Sequence, residues 1–287
     1  MSHPGPSLGD VVEIAPLPSS LSPSKVSSFT KCGLAFRFSA IDRLPEPPSL
    51  PAVRGTLVHL ALQRLFRLDP PHRTLEQALT ELTAAQAELA DDPEMEQLGL
   101  DASGHAEMAA DAAALVARYF AMEEPNDVHP IGLELMMDAE IDGLVLRGII
   151  DRLDLLPSGE LVVTDYKTGK APPERYESGS LKSMEFYALL CERVLGRRPA
   201  AVQLLYLGDG QTIISTPSGR TIRSVERRTA AVWAAIVKAH AADDFRPRRG
   251  PLCDWCSFQA YCPEFGGDPA AGRAEAVRLA EATAVPA

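Results

Sequence analysis

The sequence predicts an α/β fold, a mixed sheet with helices on its faces. Three observations carry that reading. Apolar residues recur at helical spacing between 52 and 121. Three short β-rich runs split by turn signals follow between 132 and 166. A helix over 181–195 and a buried strand over 201–207 then close the pattern, an order that suits helices layered on a mixed sheet.

In chain order, residues 1–22 are rich in proline and serine, lack periodicity and read as a mobile arm. Pro45, Pro47, Pro48 and Pro51 separate the Cys32 segment from the helical region after it. There Val53, Leu57, Leu60, Ala61, Leu65 and Leu68 mark an amphipathic helix over 52–68. Stretches 74–90 and 104–121, rich in Ala, Leu and Glu, read as two more. Past Pro130 come strands over 132–141, 144–156 and 160–166, separated by Asp142-Gly143, a hairpin signal, and by Pro157-Ser158-Gly159. The helix over 181–195 stops at Gly196, a C-cap residue. Thr212–Ile222 reads as a further hairpin and Val225–Ala242 as a long helix. A cysteine-rich segment and an Ala-rich tail beyond Gly267 end the chain.

The 287 residues carry a formal charge of −11, with 46% hydrophobic and 23% charged residues, a globular composition. No stretch reaches the ~18 apolar residues of a membrane span. MSHPGPSLGD is no secretory signal, so a cytoplasmic protein without a membrane partner is expected. The acidic sum argues against a protein that coats nucleic acid indiscriminately, but leaves room for a local basic groove. Five cysteines, an odd number, speak against a disulfide framework and turn attention to metal.

The chemistry concentrates in Arg147-Gly-Ile-Ile-Asp-Arg-Leu-Asp154 and Val163-Thr-Asp-Tyr-Lys-Thr-Gly169. Asp165 and Lys167 are two apart at the end of an apolar strand, so both project from one face. Asp151, on the preceding strand, can converge with them. Asp154, three residues further, belongs to the opposite face. Two carboxylates and an ammonium make poor core material, because unpaired buried charge is expensive. They suit a divalent cation with oxygen ligands, Mg²⁺ or Mn²⁺. A plain Asp165–Lys167 surface pair, worth ~0–1 kcal/mol, accounts for neither the Gly148-x-x-Asp151 strand nor the motif upstream.

That motif is Arg54-Gly-Thr-Leu-Val-His59. Together with Gly148-x-x-Asp151, Asp165-x-Lys167 and the opening Ser24-x-x-x-x-Phe-x-x-Cys32 before Leu34-Ala-Phe-Arg37, it resembles the RecB-like branch of the PD-(D/E)XK nuclease superfamily, from Ser22 to about Gly267. The resemblance implies a restriction-endonuclease-like sheet, one or two Mg²⁺ or Mn²⁺ ions held by His59, Asp151, Asp165 and the backbone carbonyl of Tyr166, and a Lys167 that orients or polarises the attacking water. Glu134, on the first core strand, is placed to join the ligands. The family's Gln-x-x-x-Tyr helix has Tyr187 here, but Ser183 where the Gln belongs.

Cys253-Asp-Trp-Cys256-Ser-Phe-Gln-Ala-Tyr-Cys262 supplies three of the four ligands of a metal site, and Cys32 is the natural fourth. Cys191 falls inside a helix as a small apolar residue. This one-plus-three split resembles the iron–sulfur members of the RecB-like group, which implies a 4Fe–4S cluster joining the N- and C-terminal segments. A Cys₄ zinc site and free thiols are the rivals. Arg246, Arg248 and Arg249, with Arg37, Arg43 and Arg54, are candidates for a basic rim touching phosphates, and Tyr187 for a contact to nucleic acid. Gly179-Ser-Leu-Lys182 is no Walker A motif, so no motor of its own is expected.

By this reading residues 23–267 form one nuclease domain, with cluster-binding segments 23–51 and 243–267, a helical region 52–129, a catalytic core 130–242 and a tail 268–287. The expected activity is that of a stand-alone RecB-family deoxyribonuclease, an exonuclease on single strands or DNA ends in repair or recombination, working beside a separate helicase or repair complex. A catalytically weak or inactive DNA-binding adaptor on the same fold is the alternative that Ser183 favours. A redox sensor using the cluster is the third reading.

Overall fold

The computed structural model describes residues 15–284. They fall into two units. One gathers residues 20–27 and 46–233, the other residues up to 19, 28–45 and those from 234 onward.

The larger unit contains the sheet. Helix α1 (Pro23–Lys31) begins in it, capped where Ser22 Oγ accepts from Lys25 N–H at 3.2 Å. The short α2 (Gly33–Phe36) belongs to the other unit. Helix α3 (Leu50–Phe66) starts at Ser49, whose side chain accepts from Ala52 N–H, with Pro51 in the first turn where a missing donor costs nothing. Helices α4 (Leu75–Glu88), α5 (Pro93–Gln97) and α6 (Ala102–Tyr119) are capped by Thr74, Asp92 and Asp101. Strands β1 (Pro130–Ile141), β2 (Leu144–Leu155) and β3 (Leu161–Lys167) form an antiparallel meander. Asp142 and Gly143 both take positive φ, 50° and 78°, as a two-residue hairpin turn requires. Helix α7 (Glu174–Leu195) ends at Gly196 with φ 64° and carries the chain to β4 (Ala201–Tyr206), parallel to β3. Strand β5 (Gln211–Ser215) pairs antiparallel with β4, completing the order β1-β2-β3-β4-β5. Helix α8 (Gly219–Ala241) follows.

One core layer packs Leu57, Leu62, Leu65, Leu82 and Val116 of the helices against Tyr166 and Leu205 of the sheet and Leu207 just past β4. Phe186, Leu189, Leu190 and Cys191 on α7 are also buried. Burial pushes the Cys191 thiol up to about 12, in line with an apolar role.

The smaller unit ties α2 to the C-terminal segment. Phe29 and Phe36 meet edge-on at 5.4 Å, and Phe245 stacks on Phe36. Phe38 packs on Phe258 and Tyr261, while Leu34 N–H donates to the Arg246 carbonyl at 3.3 Å. Helix α9 (Pro269–Ala284) packs its buried Ala276 into this cluster.

Two expectations need correction. Of the mobile arm, residues 1–14 lie outside the described residues, but Leu21 is fully buried and bonds Val145 and Arg147 of β2 through its own backbone, so the arm does not extend to 22. The hairpin over 212–222 is a single strand ending at Ser215, because Ser218 Oγ accepts from Thr221 N–H and starts α8 six residues early. Of the tail, Pro269–Ala284 is helical, one of the two forms its composition allows, and belongs to the smaller unit. No described helix is long and apolar enough to cross a membrane.

Candidate active site

Four elements of the larger unit converge. From α3 comes His59, from β1 Glu134, from β2 Asp151, and from β3 Asp165, Tyr166 and Lys167. His59 Nδ1 lies 3.5 Å from Asp151 Oδ2 and 3.9 Å from Glu134 Oε1. Ligand atoms of these three residues all fall within 4.8 Å of one another, the one such group among the described residues.

Each side chain reaches the site for a local reason. Strand alternation sets Asp165 and Lys167 on one face, and Lys167 Nζ sits 2.6 Å from Asp165 Oδ2. That short contact gives the buried Oδ2 a charged partner in the Lys167 ammonium. Tyr166 N–H donates to Asp151 Oδ2 at 2.8 Å. The Tyr166 carbonyl lies 3.1 Å from His59 Nε2 and can only accept, so Nε2 carries the proton. The other nitrogen, Nδ1, then faces the carboxylates with its lone pair when the ring is neutral. Glu134 is aimed by its backbone. Its φ is 45°, left-handed inside a β-strand, between ladder pairs Leu133–Arg152 and Leu135–Ile150. A non-glycine residue held there costs of order 1–3 kcal/mol, and such strain concentrates at functional sites.

The charges crowd. Burial and the Asp165 carboxylate push Asp151 up to about 7. Burial alone would lower His59, but the Glu134, Asp151 and Asp165 carboxylates outweigh it and raise it. Burial likewise pulls Lys167 down, and Asp165 more than reverses this, so the side chain stays an ammonium. Without a cation the site gathers three carboxylates, of which Asp151 is held up to about 7, around an imidazole nitrogen turned toward them. That donor set fits a hard or borderline divalent ion.

Tyr187 borders the same site. Burial and the charges of Asp165, Asp151 and Glu134 hold its phenol well above the usual range. Gly148 explains itself here, since a Cβ on it would lie 2.8 Å from Leu190 and 2.9 Å from the Tyr187 ring. Only glycine lets α7 approach β2 so closely.

Other sequence candidates are placed differently. Arg54 pairs with Asp111 at 2.5 Å. Arg246, Arg248 and Arg249 belong to the smaller unit, where Arg246 pairs with Asp244 at 2.7 Å, Arg248 donates to the Thr30 carbonyl and Arg249 lies over the Phe265 ring. Arg37 cannot form part of a rim. It is 5% exposed and clamped by Asp42 and Asp243. Cys32, Cys253, Cys256 and Cys262 all lie in the smaller unit and form no disulfide, and their sulfurs do not come within 4.8 Å of one another as a group among the described residues. Cys32 Sγ accepts from Arg248 N–H at 3.5 Å and Cys253 Sγ from Gly250 N–H at 3.3 Å.

Sequence reasoning did not reach Arg152. Its side chain is 1% exposed and binds Asp154, Glu123, Tyr119 and the Tyr166 hydroxyl. The signal was a second arginine in β2, set between Asp151 and Asp154.

A mixed five-stranded sheet flanked by helices thus presents an Asp-x-Lys strand beside a histidine and two further acids. A profile of the PD-(D/E)XK nuclease superfamily matches residues 20–263, and the chain belongs to that superfamily. It is 24% identical to the Gene 69 protein of Mycobacterium phage D29 over 264 residues, 84% of this chain and 96% of that one. It is 29% identical to the Gene 69 protein of Mycobacterium phage L5 over 140 residues, 46% of this chain and 44% of the other. The crystal structure of a Eubacterium rectale protein named "Putative exonuclease" shares the fold, with a TM-score of 0.56 at 12% identity over 83% of this chain and 87% of that one.

Proposed function

We propose that this nuclease-superfamily chain is a Mg²⁺- or Mn²⁺-dependent deoxyribonuclease of the RecB-like branch, acting on single strands or DNA ends in repair or recombination. One observation carries the reading: ligand atoms of His59, Glu134 and Asp151 lie within 4.8 Å of one another, with Asp165 and Lys167 on the adjacent strand. Their ligand atoms, His59 Nδ1 and the carboxylates of Glu134, Asp151 and Asp165, would hold the ion, while the Tyr166 carbonyl, the remaining expected ligand, lies 3.1 Å from His59 Nε2. Bound there, it would supply Lewis acidity toward a phosphodiester and toward water.

The chain's own groups do the rest. Lys167 stays an ammonium, so it contributes charge and a donor to the phosphate or the attacking water rather than acting as a base. The Tyr166 backbone aligns Asp151 and His59 through its N–H and carbonyl. Arg246, Arg248 and Arg249 are assigned to phosphate contacts, which would make binding salt-dependent.

The four cysteines are assigned to a 4Fe–4S cluster. Support comes from their shared unit and from the Cys256 thiol, which burial raises and to which Cys32, Cys253 and Cys262 add by charge. Anaerobically purified protein should then be brown, and Cys32→Ser should bleach it as fully as Cys256→Ser. Colourless protein with one zinc per chain contradicts the iron assignment.

The nuclease reading is tested by incubating labelled single- and double-stranded DNA with the protein and Mg²⁺, Mn²⁺ or chelator. Cleavage only with a divalent ion is expected. DNA bound but never cut under any of these conditions supports the adaptor reading instead.

A further inference from the structure

Arg152 is a charge in the core of the sheet, and a guanidinium there is costly unless every donor is used. Every donor is used. Nε binds both Asp154 oxygens at 2.9 and 3.0 Å, and one terminal nitrogen binds Glu123 at 2.9 Å, Tyr119 at 3.2 Å and the Tyr166 hydroxyl at 2.7 Å. The other reaches Glu123 at 3.1 Å and Thr164 at 3.3 Å. The guanidinium also lies over the Phe66 ring at 4.7 Å and the Tyr166 ring at 5.6 Å.

An apolar side chain would fill this volume without the desolvation cost, so packing alone does not explain the residue. Its shortest bond does. The ring of Tyr166 hangs from Arg152, while the main chain of Tyr166 faces the site: N–H to Asp151 Oδ2 at 2.8 Å, carbonyl to His59 Nε2 at 3.1 Å. The ring itself meets His59 edge-on at 5.9 Å. One residue therefore links a saturated buried network to both groups. A metal site tolerates ligand displacements of only about 0.2 Å, so the anchorage of that residue matters.

From this we infer that Arg152 is a positioning residue: through the Tyr166 hydroxyl it fixes the backbone of β3, and thereby sets the His59 tautomer and the Asp151 orientation for the cation. The inference rests on the metal-site reading above. It assigns Arg152 no contact with substrate or metal.

Two conservative variants separate positioning from general stability. Tyr166→Phe keeps the ring and removes the hydroxyl held by Arg152. Tyr119→Phe removes another hydroxyl of the same network and leaves that of Tyr166 in place. Mn²⁺ binding is measured by titration calorimetry, with thermal melts in chelator alongside and Asp151→Asn as reference. Tyr166→Phe should bind Mn²⁺ on the order of tenfold more weakly, Tyr119→Phe should match wild type, and Asp151→Asn should lose binding. Arg152→Lys, which keeps the charge but not the fork, should weaken Mn²⁺ as Tyr166→Phe does, and it decides the matter if Tyr166→Phe does not fold. Wild-type affinity in the folded variant, or equal weakening in both phenylalanine variants, overturns the inference. Absence of Mn²⁺ binding in wild type, or normal binding in Asp151→Asn, overturns the metal-site reading and this inference with it.

Discussion

The Tyr166 amide donates to the Asp151 carboxylate at 2.8 Å, so the strand that presents Asp165 also holds the second acid. The two carboxylates are therefore fixed close together by the sheet, and their repulsion is built in before any cation arrives.

Removing Asp165 should relieve that repulsion. Asp165→Ala should stay folded, melt no lower than wild type in chelator, and lose cleavage by on the order of a thousandfold, the several kcal/mol a metal contributes to such a reaction. Its Asp151 should titrate below about 7, since the Asp165 charge is one of the two main causes of that value. Carboxyl NMR titration checks the last point.

Glu134 offers a contrast between stability and function. Glycine adopts its φ of 45° without strain. Glu134→Gly should thus be up to about 1 kcal/mol more stable than Glu134→Ala by denaturant melts, while both lose Mn²⁺ affinity. Equal stability of the two would show that the left-handed backbone is relaxed in the variants.

Gly148→Ala should be destabilised by about 1–3 kcal/mol, the usual range for overpacking, because its Cβ would meet Leu190 and Tyr187 below 3 Å. Cleavage should fall too if Tyr187 contacts nucleic acid. A variant as stable as wild type would mean α7 moves away freely.

Divalent binding should strengthen with pH, because the ion must displace protons from Asp151 and His59. In metal-free protein the sign reverses. Asp151 has a folded value of about 7 against an ordinary 3.8, so the folded state holds the extra proton between them and stability falls as pH rises through that window. His59, also raised, adds stability below its ordinary 6.5 and loses it as pH rises through its folded value. Melts in chelator from pH 4 to 8 should therefore decline, and saturating Mn²⁺ should flatten the decline.

Much of the sheet was legible because its signals are local. Asp142-Gly143 marks a turn by the backbone it demands, and Asp165-x-Lys167 shares a face by strand alternation alone. Helix α1 was not read, although Ser22-Pro23 is a cap followed by a first-turn proline, because its proline-rich neighbourhood masked that signal. The left-handed Glu134 was not legible, since nothing in Gly132-Leu-Glu-Leu-Met136 signals a positive φ at the glutamate. Nor was the Arg152 network, whose partners Tyr119, Glu123 and Thr164 lie on or beside separate elements and meet only on folding. Ion pairs likewise decided the arginines: Arg37 and Arg54 find acids 206 and 57 residues away.

The most direct test measures Mn²⁺ binding and DNA cleavage together, in one titration series, for wild type and Asp151→Asn. The account predicts that wild-type cleavage rises along its own binding curve and that Asp151→Asn loses both. Cleavage persisting in chelator, or undiminished in Asp151→Asn, would contradict it.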